Sequence, residues 1–165
     1  MKRLSILLWL CLLSTGLFSQ SLNASDSTLF DFWVGKWNLT WKNGDGTDGR
    51  GTNNIVRILD GKVIQENFVD VKGFKGSSMS VLTPRTKTWK QAWTDNQGGY
   101  FDFEGFVEGN KRGFKTQPKE VNGKVYVFRM IFYDITKDSF IWDWEGSTDG
   151  GKTWSLNWRI NYKRA

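Results

Sequence analysis

Apolar and polar residues alternate with a period of two along most of this chain. Residues 87–95 show it most clearly: Trp89, Gln91, Trp93 and Asp95 fall on one face, and Thr88, Lys90, Ala92 and Thr94 on the other. A period of two is that of a β-strand, and Lys90 needs water, so the tryptophan row faces inward. The same alternation sets Trp37, Leu39 and Trp41 against Asn38, Thr40 and Lys42. It sets Phe140, Trp142 and Trp144 against Ile141, Asp143 and Glu145. In the last segment it aligns Trp154, Leu156, Trp158, Ile160 and Tyr162 as the inner row.

Turn signals punctuate these rows. Asp60-Gly61, Gly109-Asn110 and Asn122-Gly123 suit two-residue hairpins, and Thr83-Pro84-Arg85, Asn96-Gln97-Gly98-Gly99 and Asp149-Gly150-Gly151 suit other tight turns. The strands predicted between them are 36–43, 51–59, 62–71, 76–83, 87–95, 99–108, 111–118, 124–134, 138–146 and 153–163. Neighbours joined by tight turns pair antiparallel in chain order. The fold class is therefore all-β: an up-and-down antiparallel meander of about ten strands, closed into a barrel because an open sheet would leave two bare edges.

Two segments do not declare their inner face. In 62–71 the rows are Val63, Gln65, Asn67, Val69 and Ile64, Glu66, Phe68, Asp70; in 124–134 they are Val125, Val127, Arg129, Ile131, Tyr133 and Tyr126, Phe128, Met130, Phe132. If the Arg129 row faces in, its guanidinium needs a carboxylate, carbonyls or an anionic ligand, because burying it unpaired is very costly.

Residues 28–35, TLFDFWVG, predict one amphipathic helical turn, with Thr28 and Asp31 as a capping pair and Leu29, Phe32 and Trp33 on one face. Placed before the first strand, this turn plugs one barrel end. Residues 22–27 are polar and predict a loose linker. Upstream, Met1, Lys2 and Arg3 precede the apolar run LSILLWLCLL (4–13), and small or polar residues follow at Ser19, Gln20 and Ser21. That layout predicts a signal peptide over 1–21, too short for a membrane span, and a secreted or periplasmic domain over 28–165 with no integral membrane segment after cleavage. Bulky Trp9 and Leu10 before Cys11 disfavour a lipoprotein cut there.

Composition narrows the chemistry. The chain has no histidine, and its one cysteine, Cys11, lies in the leader. Ser-His-Asp and Cys-His catalysis, His-ligated zinc and histidine-held haem are excluded, and no disulfide, metal site or cofactor is expected. The net charge of +6 is scattered, which with export argues against nucleic acid and supports at most a mild preference for anions.

Residues 147–154, STDGGKTW, resemble the Asp-box of sialidases and related β-propellers. A propeller needs several four-stranded blades, whereas this chain carries the string once, and the Asp149 carboxylate can cap backbone N–H groups within its own turn. The loop is therefore expected to be a hairpin connection. A broader resemblance rests on DFWVGKWNLTW (31–41), WKQAWTDNQGGY (89–100) and SFIWDWEGSTDGGKTWSLNWRINYKR (139–164) in that order. Together, over about 28–165, they resemble the calycin superfamily of lipocalins, fatty-acid-binding proteins and nitrobindin-like domains, and within it a bacterial family of calycin-like domains. The resemblance implies the barrel, a lumen opening at one end, and a closed end where Trp37 is covered by an arginine of the last strand, for which Arg164 is the match. It carries no general activity, and the haem of nitrobindin-like members has no histidine to hold it here.

Three functions compete. The first is an exported barrel that binds a small, largely apolar molecule, with an anionic head as an option, in a pocket lined by Gln91, Trp93, Arg129 and Trp142. It rests on the many large aromatics of the inner rows, since a solid small barrel favours Val, Leu and Ile. The second is an enzyme drawing on Asp95, Glu66, Glu104 or Asp143 with Arg129 or Tyr133. The third is a glycan-binding or structural module with its tryptophans on the surface.

Overall fold

The computed structural model describes residues 22–165; the signal peptide expected at 1–21 lies outside them. Eleven strands follow in order: β1 (Gly35–Lys42), β2 (Asp48–Ile58), β3 (Val63–Asp70), β4 (Lys75–Thr83), β5 (Thr88–Asp95), β6 (Tyr100–Glu108), β7 (Lys111–Lys115), β8 (Lys119–Val121), β9 (Lys124–Tyr133), β10 (Ser139–Ser147) and β11 (Ser155–Arg164). Each strand from β1 to β6 pairs antiparallel with the next, β7 pairs with β9, β9 with β10 and β10 with β11. The ring closes where β11 meets β1, with Trp37 opposite Arg164 and Leu39 opposite Tyr162. It is a closed antiparallel barrel of ten strands plus β8, which hydrogen-bonds to the start of β9 beyond the end of β7. The sequence reading missed β8. It forms because Asn122 and Gly123 adopt φ of 51° and 76°, the left-handed pair of a tight hairpin turn. Among the described residues no helix is long and apolar enough to cross a membrane.

The structure fixes the undecided faces. On β3 it is Ile64, Glu66 and Phe68 that are buried, so a carboxylate enters the lumen. On β9, Met130 and Phe132 face the core, and Arg129 faces outward. The inner row expected for the last strand is broken. Trp144 pairs with Trp158, but Glu145 pairs with Leu156, so Asn157 is an extra residue in a β-bulge. One extra residue reverses every side chain beyond it. Leu156 is consequently half exposed, while Ile160 and Tyr162 stay buried.

The helical turn is shorter than expected, a single 3-10 turn at Asp31–Trp33. Thr28 does not cap it: its N–H and hydroxyl both donate to Asp26 Oδ1, and Asp31 pairs instead with Arg57 on β2. In the polar stretch before it, Asp26 O accepts from Trp89 Nε1 at 2.9 Å. Fully buried Phe30 stacks on Phe114 at 4.4 Å and meets Trp89 and Phe132 edge-on. Trp33 is buried beside Phe132. Arg112 Nη1 reaches across from β7 to Leu29 O. The barrel end where β1 begins is therefore packed with side chains.

At the other end, indoles lie flat against the wall. A Cβ on Gly49 would overlap the Trp41 indole, and one on Gly76 would overlap that of Trp93. Glycine on an inward-facing strand position lets a ring approach the backbone where any larger residue would push it into the lumen.

Candidate functional site

A cavity of about 170 Å³ occupies the lumen at the end opposite the N-terminal turn. Its wall is aromatic: Phe68 and Phe74 from the β3 side, Trp93 from β5, Phe101 and Phe103 from β6, Trp142 and Trp144 from β10, and Trp158 from β11. The rings brace one another. Trp142 and Trp144 are nearly parallel at 6.5 Å, Trp144 stacks on Phe128 at 5.5 Å, and Trp158 meets Trp41, Phe68 and Trp142 edge-on. Offset-parallel and edge contacts suit the aromatic quadrupole, so each ring holds its neighbour in place.

Three polar side chains interrupt this wall: Glu66, Asp95 and Tyr162. Glu66 is buried, and accepts from Asn53 Nδ2 at 2.6 Å and from Ser78 Oγ at 2.7 Å. Burial raises its carboxyl pKa to about 7, against the two hydrogen bonds, which favour the charged form. Asn53 Nδ2 also lies 3.2 Å from the Tyr162 hydroxyl. Burial, with the nearby Glu66 charge, holds that phenol well above its ordinary pKa. Asp95 differs. Its Oδ1 accepts from the backbone N–H groups of Gly99 and Gln97, and its Oδ2 from Trp93 Nε1. Those bonds, that from Gly99 foremost, hold its carboxyl below the usual range. Asp95 thus stays ionised and belongs to the turn, whereas Glu66 is poised near neutrality.

Of the four residues expected to line a pocket, Trp93 and Trp142 do so. Gln91 does not: it is buried next to the cavity, with Nε2 donating to Ser80 Oγ at 2.9 Å and Oε1 unpartnered. Arg129 does not either. Its Nε bonds Glu145 Oε2 at 2.6 Å, its Nη1 bonds Glu108 Oε2 at 3.0 Å, and its guanidinium lies 3.9 Å from the Trp154 ring centre. Glu145 is its cross-strand neighbour on the outer face, so the outside supplies the carboxylates and aromatic surface a guanidinium needs and the lumen does not. The support that Arg129 gave to an anionic ligand falls with it, which leaves only the scattered net charge of +6. At the packed end, Trp37 is buried, its Nε1 donates to Trp33 O at 2.8 Å, and the Arg164 guanidinium lies 4.1 Å over its ring.

The carboxylates weighed for catalysis are dispersed. Glu104 pairs with Lys90 on the outside. Asp143 is gripped by two bonds from Arg159 and receives the Tyr133 hydroxyl. Only Glu66 and Asp95 reach the cavity, and Asp95 is committed to its turn.

The loop at 147–154 satisfies itself. Asp149 Oδ1 accepts from Lys152 N, Thr153 N and Ser147 Oγ, and its Oδ2 from Thr153 Oγ1. Gly150 N donates to Val125 O, which ties the loop to β9. Every acceptor of Asp149 points inward to its own turn. No protein-family model matches the chain, and no curated protein matches it either.

The sequence reading did not name Trp158, Phe68 and Phe101 as wall residues; it left the row of Phe68 undecided and assigned none to Phe101. It named Glu66 only as one of several carboxylates. What turns Glu66 inward lies on the flanking strands, where Asn53 and its cross-strand partner Ser78 bond it.

Proposed function

We propose that this protein is an exported, calycin-like barrel that holds a small, largely apolar molecule in the open end of its lumen. The observation that carries the reading is the aromatic wall around a cavity of about 170 Å³, broken by only a few polar groups, which is the composition of a ligand pocket rather than of a solid core. The N-terminal turn serves as the plug of the opposite end, with Trp37 and Arg164 as the closing pair. A site with one rigid floor and one open mouth suits capture and release of a molecule that is poorly soluble in water. The basic start and apolar run read as a signal peptide over 1–21 support export of the mature domain.

The test uses a neutral apolar fluorophore, N-phenyl-1-naphthylamine, titrated into the purified mature protein. Its emission rises and tryptophan fluorescence falls on binding, and Trp142→Ala weakens it at least tenfold. Undiminished affinity in Trp142→Ala and Trp158→Ala alike would place the probe elsewhere and end the reading. Fractionation of expressing cells, with a mature N-terminus between Gln20 and Leu22, checks export.

A further inference from the structure

The cavity has one sign of charge. Its polar lining is two carboxyl groups and a phenol, and none of its lining residues is Lys or Arg. The surrounding polar groups also lean toward accepting. Asn53 Oδ1 and Gln91 Oε1 are buried acceptors without a donor, and a buried polar atom left unpaired is destabilising. Among the described residues Glu66 has two donors, Asn53 and Ser78, and no counter-ion. Around it stand the indoles of Trp93, Trp142 and Trp158, whose faces carry the negative end of the aromatic quadrupole.

Resting on the reading of the cavity as a binding site, we infer that its ligand class is a protonated amine on an apolar, preferably aromatic, body, with the ammonium donating to Glu66 and the body against the indoles. A carboxylic acid is the disfavoured alternative, because it would set a third carboxylate beside two with no cation in reach. A neutral alcohol would fill the space but leave the Glu66 charge uncompensated. The chain's net charge of +6 opposes a cation at long range. That field is screened over about 8 Å at physiological salt, while a buried contact pair is screened much less.

A proton-linked signature follows. Binding a cation favours ionised Glu66, whose carboxyl in the empty cavity has a pKa of about 7. Below that pH the amine must displace a proton, so its affinity falls by up to about tenfold per pH unit. The other titratable groups facing the cavity, Asp95 and Tyr162, are held ionised and neutral respectively through this range, so they do not contribute a competing slope. The amine stays protonated, with a pKa near that of lysine, about 10.

The experiment titrates 2-phenylethylamine, 2-phenylethanol and phenylacetate into the mature protein by calorimetry at several pH values from about 5.5 to 8, the linkage window. We expect the amine to bind at least tenfold tighter than the alcohol at the alkaline end, with phenylacetate weakest. Only the amine should weaken with acid. Glu66→Gln, checked for folding by near-ultraviolet circular dichroism, abolishes the amine preference and the pH slope while retaining alcohol binding. Equal affinities for amine and alcohol, or a preference that survives in Glu66→Gln, overturn the inference. The wild-type pH series decides it alone if that variant does not fold. If the alcohol and N-phenyl-1-naphthylamine bind and the amine does not, the charge assignment falls and the pocket stands. If none of the probes binds, the pocket reading falls and takes this inference with it.

Discussion

The two ends of this barrel are built from the same kind of residue and do opposite things. At the end where β1 begins, Phe30, Phe114, Phe132, Trp33 and Trp37 are all fully buried, and their rings fill the space between strands. At the other end Trp93, Trp142, Trp144 and Trp158 are only partly buried and surround a void. The difference comes from what enters the lumen, not from how apolar the wall is. The N-terminal segment supplies Phe30 and Trp33 as filling for the first end. Among the described residues no segment enters the second, and glycines at 49 and 76 let indoles there lie back against the strands. Aromatic content alone therefore does not distinguish a packed barrel end from an open one; what packs between the rings does.

The largest test of that contrast is to remove the filling. Phe30→Ala deletes a fully buried ring stacked on Phe114, and should cost about 3–5 kcal/mol in urea or guanidinium unfolding. Ligand affinity measured on the folded fraction should hardly change. A loss below about 1 kcal/mol, the scale of a surface change, would show that the segment lies on the barrel rather than in it.

Glu66 sharpens the comparison through pH. Its folded pKa of about 7 lies above the ordinary glutamate value of 4.5, so the folded state binds more protons than the unfolded state between those values. Its burial thus costs nothing below about pH 4.5, costs progressively more as pH rises to 7, and levels off above, at about 3 kcal/mol in all. Glu66→Gln has no such titration. The stability of Glu66→Gln relative to wild type should therefore rise from pH 4.5 to 7 and then stay constant, as read from urea midpoints. A flat difference would mean that the carboxyl is solvated in the cup.

Trp142→Ala gives the mirror image of Phe30→Ala. The indole is half-buried and borders empty space, so its loss should cost about 1–2 kcal/mol, the apolar area it covers, yet weaken N-phenyl-1-naphthylamine at least tenfold. If stability falls as far as in Phe30→Ala and binding is spared, the cup is core after all.

Much of the barrel was legible in the chain because period-two alternation and turn dipeptides are local signals. Trp37, Leu39 and Trp41 are buried as their row required. What failed depended on information across strands. The Asn157 bulge is a matter of pairing register between β10 and β11, and no pattern within β11 marks it. The direction of Arg129 was set by Glu145 sixteen residues away, and that of Glu66 by Asn53 and Ser78 on the flanking strands. Trp93 and Trp142 could be placed on the lumen because apolar rows have one destination. A charged residue on a mixed row goes wherever its partners are, and partners on other strands are not visible until the sheet is closed.

The smallest expected effect concerns the loop at 147–154, which lies at the open end without belonging to the cup. Asp149 accepts the N–H groups of Lys152 and Thr153 and two hydroxyls, from Ser147 and Thr153. These bonds, the Thr153 hydroxyl first, hold its carboxyl well below the usual range. A depressed pKa means that the folded state favours the ionised form. The stabilisation is present above the ordinary carboxylate pKa of about 3.9 and is lost as pH falls further. Asp149→Ala should lower the thermal midpoint at pH 7 by less than Trp142→Ala does, and the gap to wild type should narrow in acid. Amine and naphthylamine affinities should be unchanged, because every bond the carboxylate makes closes its own turn. A variant that melts like wild type but binds at least tenfold more weakly would instead make Asp149 part of the site, and the open end would then extend from the aromatic cup onto this loop.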